Sequence, residues 1–204
     1  MKLVFLGPPN AGKGTYSDRL IKKHNLKKIS SGDLFREHIK NKTKLGIEVE
    51  KYTSSGQLVP DELTIEMLKK AIQGINDFVL DGFPRTINQA KELDKITKID
   101  KVFNFTASDK ILLDRASGRL ICPKCNIIYH IRNIPPKLKG ICDKDGEKLI
   151  QREDDKLEKA KERLKIYEKL TKPLINYYKK KGNLVTLNTE FPIDKIMKEI
   201  EEEL

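Results

Sequence analysis

The chain has 204 residues, enough for one globular core with small insertions and too short for a multidomain machine. Lys+Arg number 41 against 30 Asp+Glu, a formal charge of +11, which favours polyanionic partners such as nucleotides, nucleic acid or anionic lipid without choosing among them. Hydrophobic residues make up 38% and recur periodically, which excludes wholesale disorder.

No apolar run approaches the roughly 20 residues that a membrane helix needs. Met1 to Leu6 is too short for a signal-peptide core, so a cytoplasmic protein away from membranes is expected. Three cysteines, two of them in a C-x-x-C pair, argue against a disulfide scaffold and for a metal or redox site.

In chain order, Lys2 to Leu6 reads as a strand stopped by Gly7-Pro8-Pro9, and a helical pattern with Tyr16, Leu20 and Ile21 on one side follows. Short apolar runs recur at Phe78 to Leu80, Val102 to Phe105 and Leu184 to Leu187, with a weaker one at Lys28 to Ser30. Strands alternating with helices predict an α/β fold, a parallel sheet covered on both faces. Asp61, Thr86 and Ser108 are the expected helix caps. Ser30 to Gly56 reads as a polar helical insertion and Arg119 to Asp155 as a small β-rich one. From Lys156 to Lys181 a stripe of Leu157, Ala160, Leu164, Tyr167 and Leu170 predicts a core-facing helix interrupted at Pro173.

After the first strand comes Gly7-Pro-Pro-Asn10-Ala11-Gly12-Lys13-Gly14-Thr15, then a helix. Glycines let backbone N–H groups turn inward, the helix N-terminus adds positive potential, and Lys13 reaches the β- and γ-phosphates, so a polyphosphate is expected here. The strict pattern has Ser or Thr directly after the lysine, whereas Gly14 intervenes before Thr15.

Only eight of the 41 basic residues are arginines. Solubility alone is served by lysine; the planar fork grips phosphate oxygens bidentately and stacks on bases. Arg19 and Arg132 read as surface ion pairs, while Arg36, Arg85, Arg115, Arg119, Arg152 and Arg163 are ligand candidates. Arg85 follows the turn Gly82-Phe83-Pro84 at a strand end, where open α/β sheets bind ligands. Asp81, at that same strand end, suits a magnesium shell facing the phosphate loop.

Cys122-x2-Cys125-x16-Cys142-x2-Asp145 has the spacing of two knuckles on one tetrahedral site, with zinc the natural occupant. Four protein ligands make such a site structural. His130 is the alternative to Asp145 as fourth ligand, and redox chemistry the alternative for the first pair.

With these residues in place, GPPNAGKGT, Ile29 to Asp33, Gly56 to Asp61, Leu80 to Arg85 with Gln89, Asp114-Arg115 to Gly118-Arg119, and Gln151 to Asp155 together resemble the adenylate kinase family over nearly the whole chain. The cysteine insertion resembles the long zinc-bearing lid of some bacterial members. The resemblance implies a P-loop NTPase-type core of five parallel strands (1–29, 57–118, 156–204), a monophosphate-binding segment (30–56) and a lid (119–155). It implies the reaction ATP + AMP = 2 ADP, a magnesium cofactor, structural zinc, ATP, AMP and ADP as the only partners, and a monomer.

By position, Asn10, Ala11, Gly12, Lys13, Gly14 and Thr15 would cradle ATP phosphates, Arg115 would stack on its adenine, and Ile128 and Tyr129 would line that pocket. AMP would meet Ser31, Arg36, Gln57, Leu58, Val59, Gly82, Phe83, Pro84, Arg85 and Gln89. Arg119, Arg152 and Arg163 would close on the transferring group with Lys13 and Arg85, and Asp33 and Asp81 would orient magnesium waters. Asn10, Ser31 and Gln57 depart from the family's common Gly, Thr, and Lys or Arg, and Leu187 to Glu190 lacks its usual glycine.

Two rivals remain open at this level. One is a monophosphate kinase of other specificity, against which Gln89 and the long insertion favour adenine. The other is a zinc-ribbon nucleic-acid binder, disfavoured because aromatics are sparse on the ribbon and lysines are spread along the chain.

Overall fold

The computed structural model describes residues 1–204. Seven strands and nine α-helices follow in the order β1 (Lys2–Leu6), α1 (Lys13–His24), β2 (Lys27–Ser30), α2 (Ser31–Lys40), α3 (Lys44–Ser54), α4 (Asp61–Ile72), β3 (Phe78–Asp81), α5 (Ile87–Ile96), β4 (Lys101–Thr106), α6 (Asp109–Gly118), β5 (Arg119–Ile121), β6 (Ile128–His130), α7 (Leu157–Ile166), α8 (Pro173–Lys181), β7 (Leu184–Asn188) and α9 (Ile193–Glu202). No helix is long and apolar enough to cross a membrane.

Five strands form one parallel sheet in the order β2-β3-β1-β4-β7, with Val4 paired to Leu80 on one side and Val102 on the other. The alternation of side chains along β1 divides the core in two. Val4 and Leu6 join Leu68 of α4, Leu93 of α5 and Leu174 of α8 on one face, and Leu3 and Phe5 join Leu20 of α1, Leu112 of α6 and Ile196 of α9 on the other. Helices therefore cover both faces, and the fold is the P-loop NTPase type. Parallel strands deliver their C-terminal ends to one edge, and the strand order reverses at β1, so Leu6, Ser30 and Asp81 open onto a common crevice.

Between β2 and α4, the hairpin of α2 and α3 buries Phe35 and Val49 with Val59 and Met67 in a satellite cluster. The helices meet at Gly46, where an added Cβ would stand 2.1 Å from the His38 carbonyl oxygen. Gly46→Ala is therefore expected to destabilise this hairpin by about 1–3 kcal/mol in urea titrations, because the clash outweighs the helix-propensity gain of about 1 kcal/mol.

The second insertion is an antiparallel pair, β5 with β6, extended by bridges Ile121 to Ile150 and Ile141 to Lys148. Its core is Cys122, Tyr129, Cys142 and Leu149.

Two expectations change. Asp61 is the first residue of α4, with Pro60 in the cap position, so its carboxylate is free for tertiary contacts. The stripe after Lys156 also breaks: a π-turn at Tyr167–Thr171, closed by Lys172 N–H to the Tyr167 carbonyl at 2.9 Å, adds a residue to the turn. Ala160 and Tyr167 are buried as expected, but the shift puts Thr171 inside in place of Leu170, which is 38% exposed. Leu157, at the first turn of α7, is also exposed. Pro173 starts α8, where its missing N–H costs nothing.

Candidate functional site

Backbone conformation builds the phosphate loop. Gly7 has φ 138° and an added Cβ would lie 2.4 Å from the Phe105 carbonyl, so only glycine fits. Asn10 takes the left-handed conformation at φ 66°, which asparagine tolerates, and Gly12 caps α1 at φ 89°. The first turn of α1 carries no acidic residue, leaving its positive end uncompensated. Lys13 donates from Nζ to the carbonyls of Gly7 and Pro8, each at 2.7 Å. Burial lowers its pKa to about 7, opposed by Asp81 and reinforced by Arg85, Arg163 and Arg119.

The loop forms the floor of a cleft of about 660 Å³. Of the eight arginines, the six expected at a ligand line this cleft, whereas Arg19 pairs with Asp194 and Arg132 with Asp114 at the surface. Two consecutive carboxylates organise three of the six. Asp155, 1% exposed, accepts from Arg119 Nε at 2.7 Å and from its Nη2. Asp154 accepts from Arg152 Nε at 2.8 Å and Nη2, and pairs with Arg163 Nη1 at 2.9 Å. Burial works to raise the Asp154 pKa, but Arg163 and Arg152 hold it well below the carboxylate range. Burial and the neighbouring Arg119 and Arg152 overcome Asp154 and lower Arg163 to about 10. Cations packed this tightly are a standing demand for more anionic charge in the cleft.

At one end, Arg36 is paired with Asp33, and Arg85 donates from Nε to the Gly82 carbonyl at 2.8 Å. Arg85, like Arg36, has its pKa lowered first by burial. Ser31 donates to the same Gly82 carbonyl at 2.8 Å. At the other end, Arg115 donates from Nη1 to Thr189 Oγ1 at 3.0 Å and from Nη2 to the Thr189 carbonyl. Strand β6 comes close to the loop, since a Cβ on Gly14 would lie 3.5 Å from Ile128 Cδ1 and 3.7 Å from Asp81 Oδ2.

Asn10, Gly12, Lys13, Gly14, Thr15, Asp33, Leu58, Asp81, Gly82, Pro84, Ile128 and Tyr129 line the cleft with the six arginines. Ala11, Ser31, Gln57, Val59, Phe83 and Gln89 do not. Ala11, Phe83 and Val59 are packed in the interior, and the Gln89 amide, 2% exposed, is held by Arg85 N–H and Asp61. The cleft also contains residues that were given no role from the sequence: Tyr16, stacked on Phe105; Lys28, bonded to Asp18 at 2.7 Å; and Thr189 to Ile193, of which Thr189 meets Arg115. The only signal for that last stretch was the family's glycine missing from Leu187 to Glu190.

Cys122, Cys125, Cys142 and Asp145 converge with all four ligand atoms within 4.8 Å of one another. The Cys125 and Cys142 sulfurs are 3.5 Å apart, and Cys122 Sγ is 3.4 Å from either Asp145 oxygen. A tetrahedron with metal–sulfur bonds of about 2.3 Å has edges of roughly 3.8 Å, so the donors fit a metal ion. Glu147 N–H supports Asp145 at 3.1 Å and the Tyr129 hydroxyl lies 3.5 Å from Cys142 Sγ, a supporting shell for ligands. His130 is not the fourth donor: Asp145 completes the set, while His130 Nδ1 accepts from the N–H groups of Arg132 and Asn133, both at 3.1 Å, and its Nε2 lies against Gly118. The cysteines form no disulfide.

The family profile described as adenylate kinase matches residues 5–183. The chain is 43% identical over its whole length to "Adenylate kinase" of Caldanaerobacter subterraneus subsp. tengcongensis, covering 96% of that protein. It is 46% identical, again over its whole length, to "Adenylate kinase" of Finegoldia magna, of which it covers 99%. A 46% match to "Adenylate kinase" of Clostridium tetani spans 92% of the chain and 91% of the relative. Identity at this level from end to end leaves no part of the fold outside the comparison, and the chain belongs to the adenylate kinase family.

Proposed function

We propose that the chain catalyses ATP + AMP = 2 ADP with magnesium, and that the convergence of Lys13 and six arginines on one cleft carries this reading. Two anions repel each other, and a lining of guanidinium forks lets them approach. A phosphate oxygen of AMP attacks the γ-phosphorus of ATP in line. The new P–O bond forms as the bond to the β–γ bridging oxygen breaks, leaving ADP on both sides. The nucleophile is already anionic, so no general base is required, and positioning with charge neutralisation supplies the catalysis.

Lys13 and the amides of Asn10 to Thr15 hold the ATP phosphates, with Arg115 stacking on the base between Thr189 and the walls Ile128 and Tyr129. Arg36 and Arg85 take the AMP phosphate, with Leu58, Gly82 and Pro84 lining that side, Ser31, Val59 and Phe83 packed behind them and Gln57 at its margin, and Gln89, buried behind the cleft wall, reads the base once AMP displaces what covers it. Arg119, Arg152 and Arg163 surround the group in transit. Magnesium would supply charge neutralisation to the ATP phosphates, and Asp81, near Gly14, and Asp33, both in the cleft lining, would hold its waters. The segments 30–56 and 119–155 close over the cleft and exclude water, which would otherwise intercept the phosphoryl group. Zinc fits the Cys3Asp set and, fully ligated by protein, is structural. A cytoplasmic monomer acting only on small nucleotides is consistent with this reading. Phosphorus NMR of the purified chain with ATP, AMP and Mg²⁺ tests it: ADP must appear and exchange, and no conversion overturns it.

The Lys13 pKa of about 7 gives a pH dependence. A bound triphosphate favours the ammonium form, so between about pH 7 and 9 binding of tripolyphosphate is expected to take up protons. Calorimetry in buffers of different ionisation enthalpy should show this uptake, and Lys13→Met should lose it. For stability the sign follows from the folded pKa lying below the ordinary 10.5. The cost of burying the charge is full below pH 7, and this group's contribution becomes more favourable as pH rises toward 10.5.

A further inference from the structure

We infer that Asp61 is a positioning residue that sets the base preference of the monophosphate site by fixing which way the Gln89 amide faces. The inference rests on the reading of Gln89 as the base-recognising group.

The Gln89 side chain is 2% exposed and its two ends have different neighbours. Oε1 accepts from the Arg85 backbone N–H at 2.7 Å, and Nε2 donates to Asp61 Oδ1 at 2.8 Å. A backbone N–H can only donate and a carboxylate can only accept, so chemistry alone assigns the oxygen and the nitrogen. Asp61 is itself anchored: its Oδ2 accepts from Thr86 Oγ1 at 2.7 Å and Asn88 Nδ2 at 3.0 Å. Because α4 starts at Asp61, that carboxylate is released from capping its own helix and ties the start of α4 to the start of α5.

After these two bonds the amide keeps one N–H and one oxygen lone pair. Adenine offers a matching N6–H donor beside the N1 acceptor, whereas guanine offers the O6 acceptor beside the N1–H donor. Guanine therefore requires the amide rotated by 180°, which sets NH2 against the Arg85 N–H and oxygen against the Asp61 carboxylate. Asp61 and the Arg85 N–H jointly forbid that rotation. Replacing the carboxylate by an amide removes half of the prohibition, because asparagine can turn its own NH2 toward a rotated Gln89.

The test is steady-state kinetics of Asp61→Asn and Gln89→Leu with AMP and GMP as acceptors at saturating ATP. Asp61→Asn is expected to reduce the AMP-over-GMP ratio of kcat/KM by roughly tenfold, with the KM for ATP unchanged. Gln89→Leu should remove most of the ratio. If Gln89→Leu keeps the wild-type ratio, the base-reading role fails; if it loses the ratio while Asp61→Asn keeps it, Asp61 does not set it and the inference is overturned. The wild-type chain supplies a readout that needs no folded variant. Before AMP is added, the Gln89 Nε2 protons should exchange with solvent much more slowly than those of an exposed glutamine, because one is bonded to Asp61 in a buried site, and exchange at the exposed rate overturns the inference.

Discussion

Arg119→Lys is expected to lower turnover by on the order of 10³ while leaving the chain folded. Arg119 sits at the start of β5, where the core meets the cysteine insertion, and it grips Asp155 through Nε and Nη2. A guanidinium has five N–H donors, so three remain for phosphoryl oxygens while the fork stays locked in place. Lysine keeps the charge but provides a single donor point on a flexible stem; it either satisfies one Asp155 oxygen or reaches the phosphate, not both. Asp155 is almost fully buried, so its unmatched oxygen costs about 1–3 kcal/mol of stability as well. The two losses are separable. Substrate KM values near wild type with a collapsed kcat locate the effect in the transition state, whereas a lower melting temperature with intact kcat assigns Arg119 to structure alone. Wild-type turnover in a folded variant would show that the arginine's role is wrongly assigned.

The sequence made Arg119 visible because arginine is rare here, and rarity among 33 lysines is informative where net charge is not. The same logic separated Arg19 and Arg132, now in surface pairs, from the six in the cleft. The phosphate loop was legible because its constraints are local: Gly7 answers to one carbonyl, and Asn10 to one left-handed φ. Alternating strands and helices gave the sheet for a similar reason, since both faces of β1 need cover. What stayed hidden depends on groups distant in sequence. Nothing around Thr189 announces that it will meet Arg115, 74 positions earlier. The π-turn that exchanges Leu170 for Thr171 is also illegible from a 3.6-residue period; its cause is tertiary, the Thr171 hydroxyl donating to the Arg85 carbonyl at 2.9 Å. Gln89 was found, but that its amide would be committed to Asp61 and Arg85 could not be read from spacing.

Stripping the metal should lower the melting temperature far more than it lowers the initial rate measured in the cold. The cysteine insertion's own core is four buried side chains, and two of them, Cys122 and Cys142, belong to the donor set that could hold a metal ion. Tyr129 and Leu149 cannot offset the ordering entropy of a segment this long, so the metal's binding free energy, about 10–16 kcal/mol in isolated zinc peptides, becomes the lid's folding free energy. Without metal, burial pushes the Cys125 thiol up to about 12, and a protonated sulfur there makes no strong bond to its neighbours. The reacting cleft depends less directly on that cluster. Arg119 is anchored by Asp155, and Arg152 and Arg163 by Asp154, at the base of the lid beyond the knuckles. On the proposed reading, those anchors should keep the cleft ordered at low temperature, and on warming the metal-free insertion should melt first and take Ile128 and Tyr129 away from the cleft they line. Calorimetric scans and coupled-assay rates on the same chelated sample, with metal content measured before and after, check both halves. A metal-free protein that is inactive at every temperature yet melts where the loaded protein does would place the metal in the chemistry instead of the scaffold.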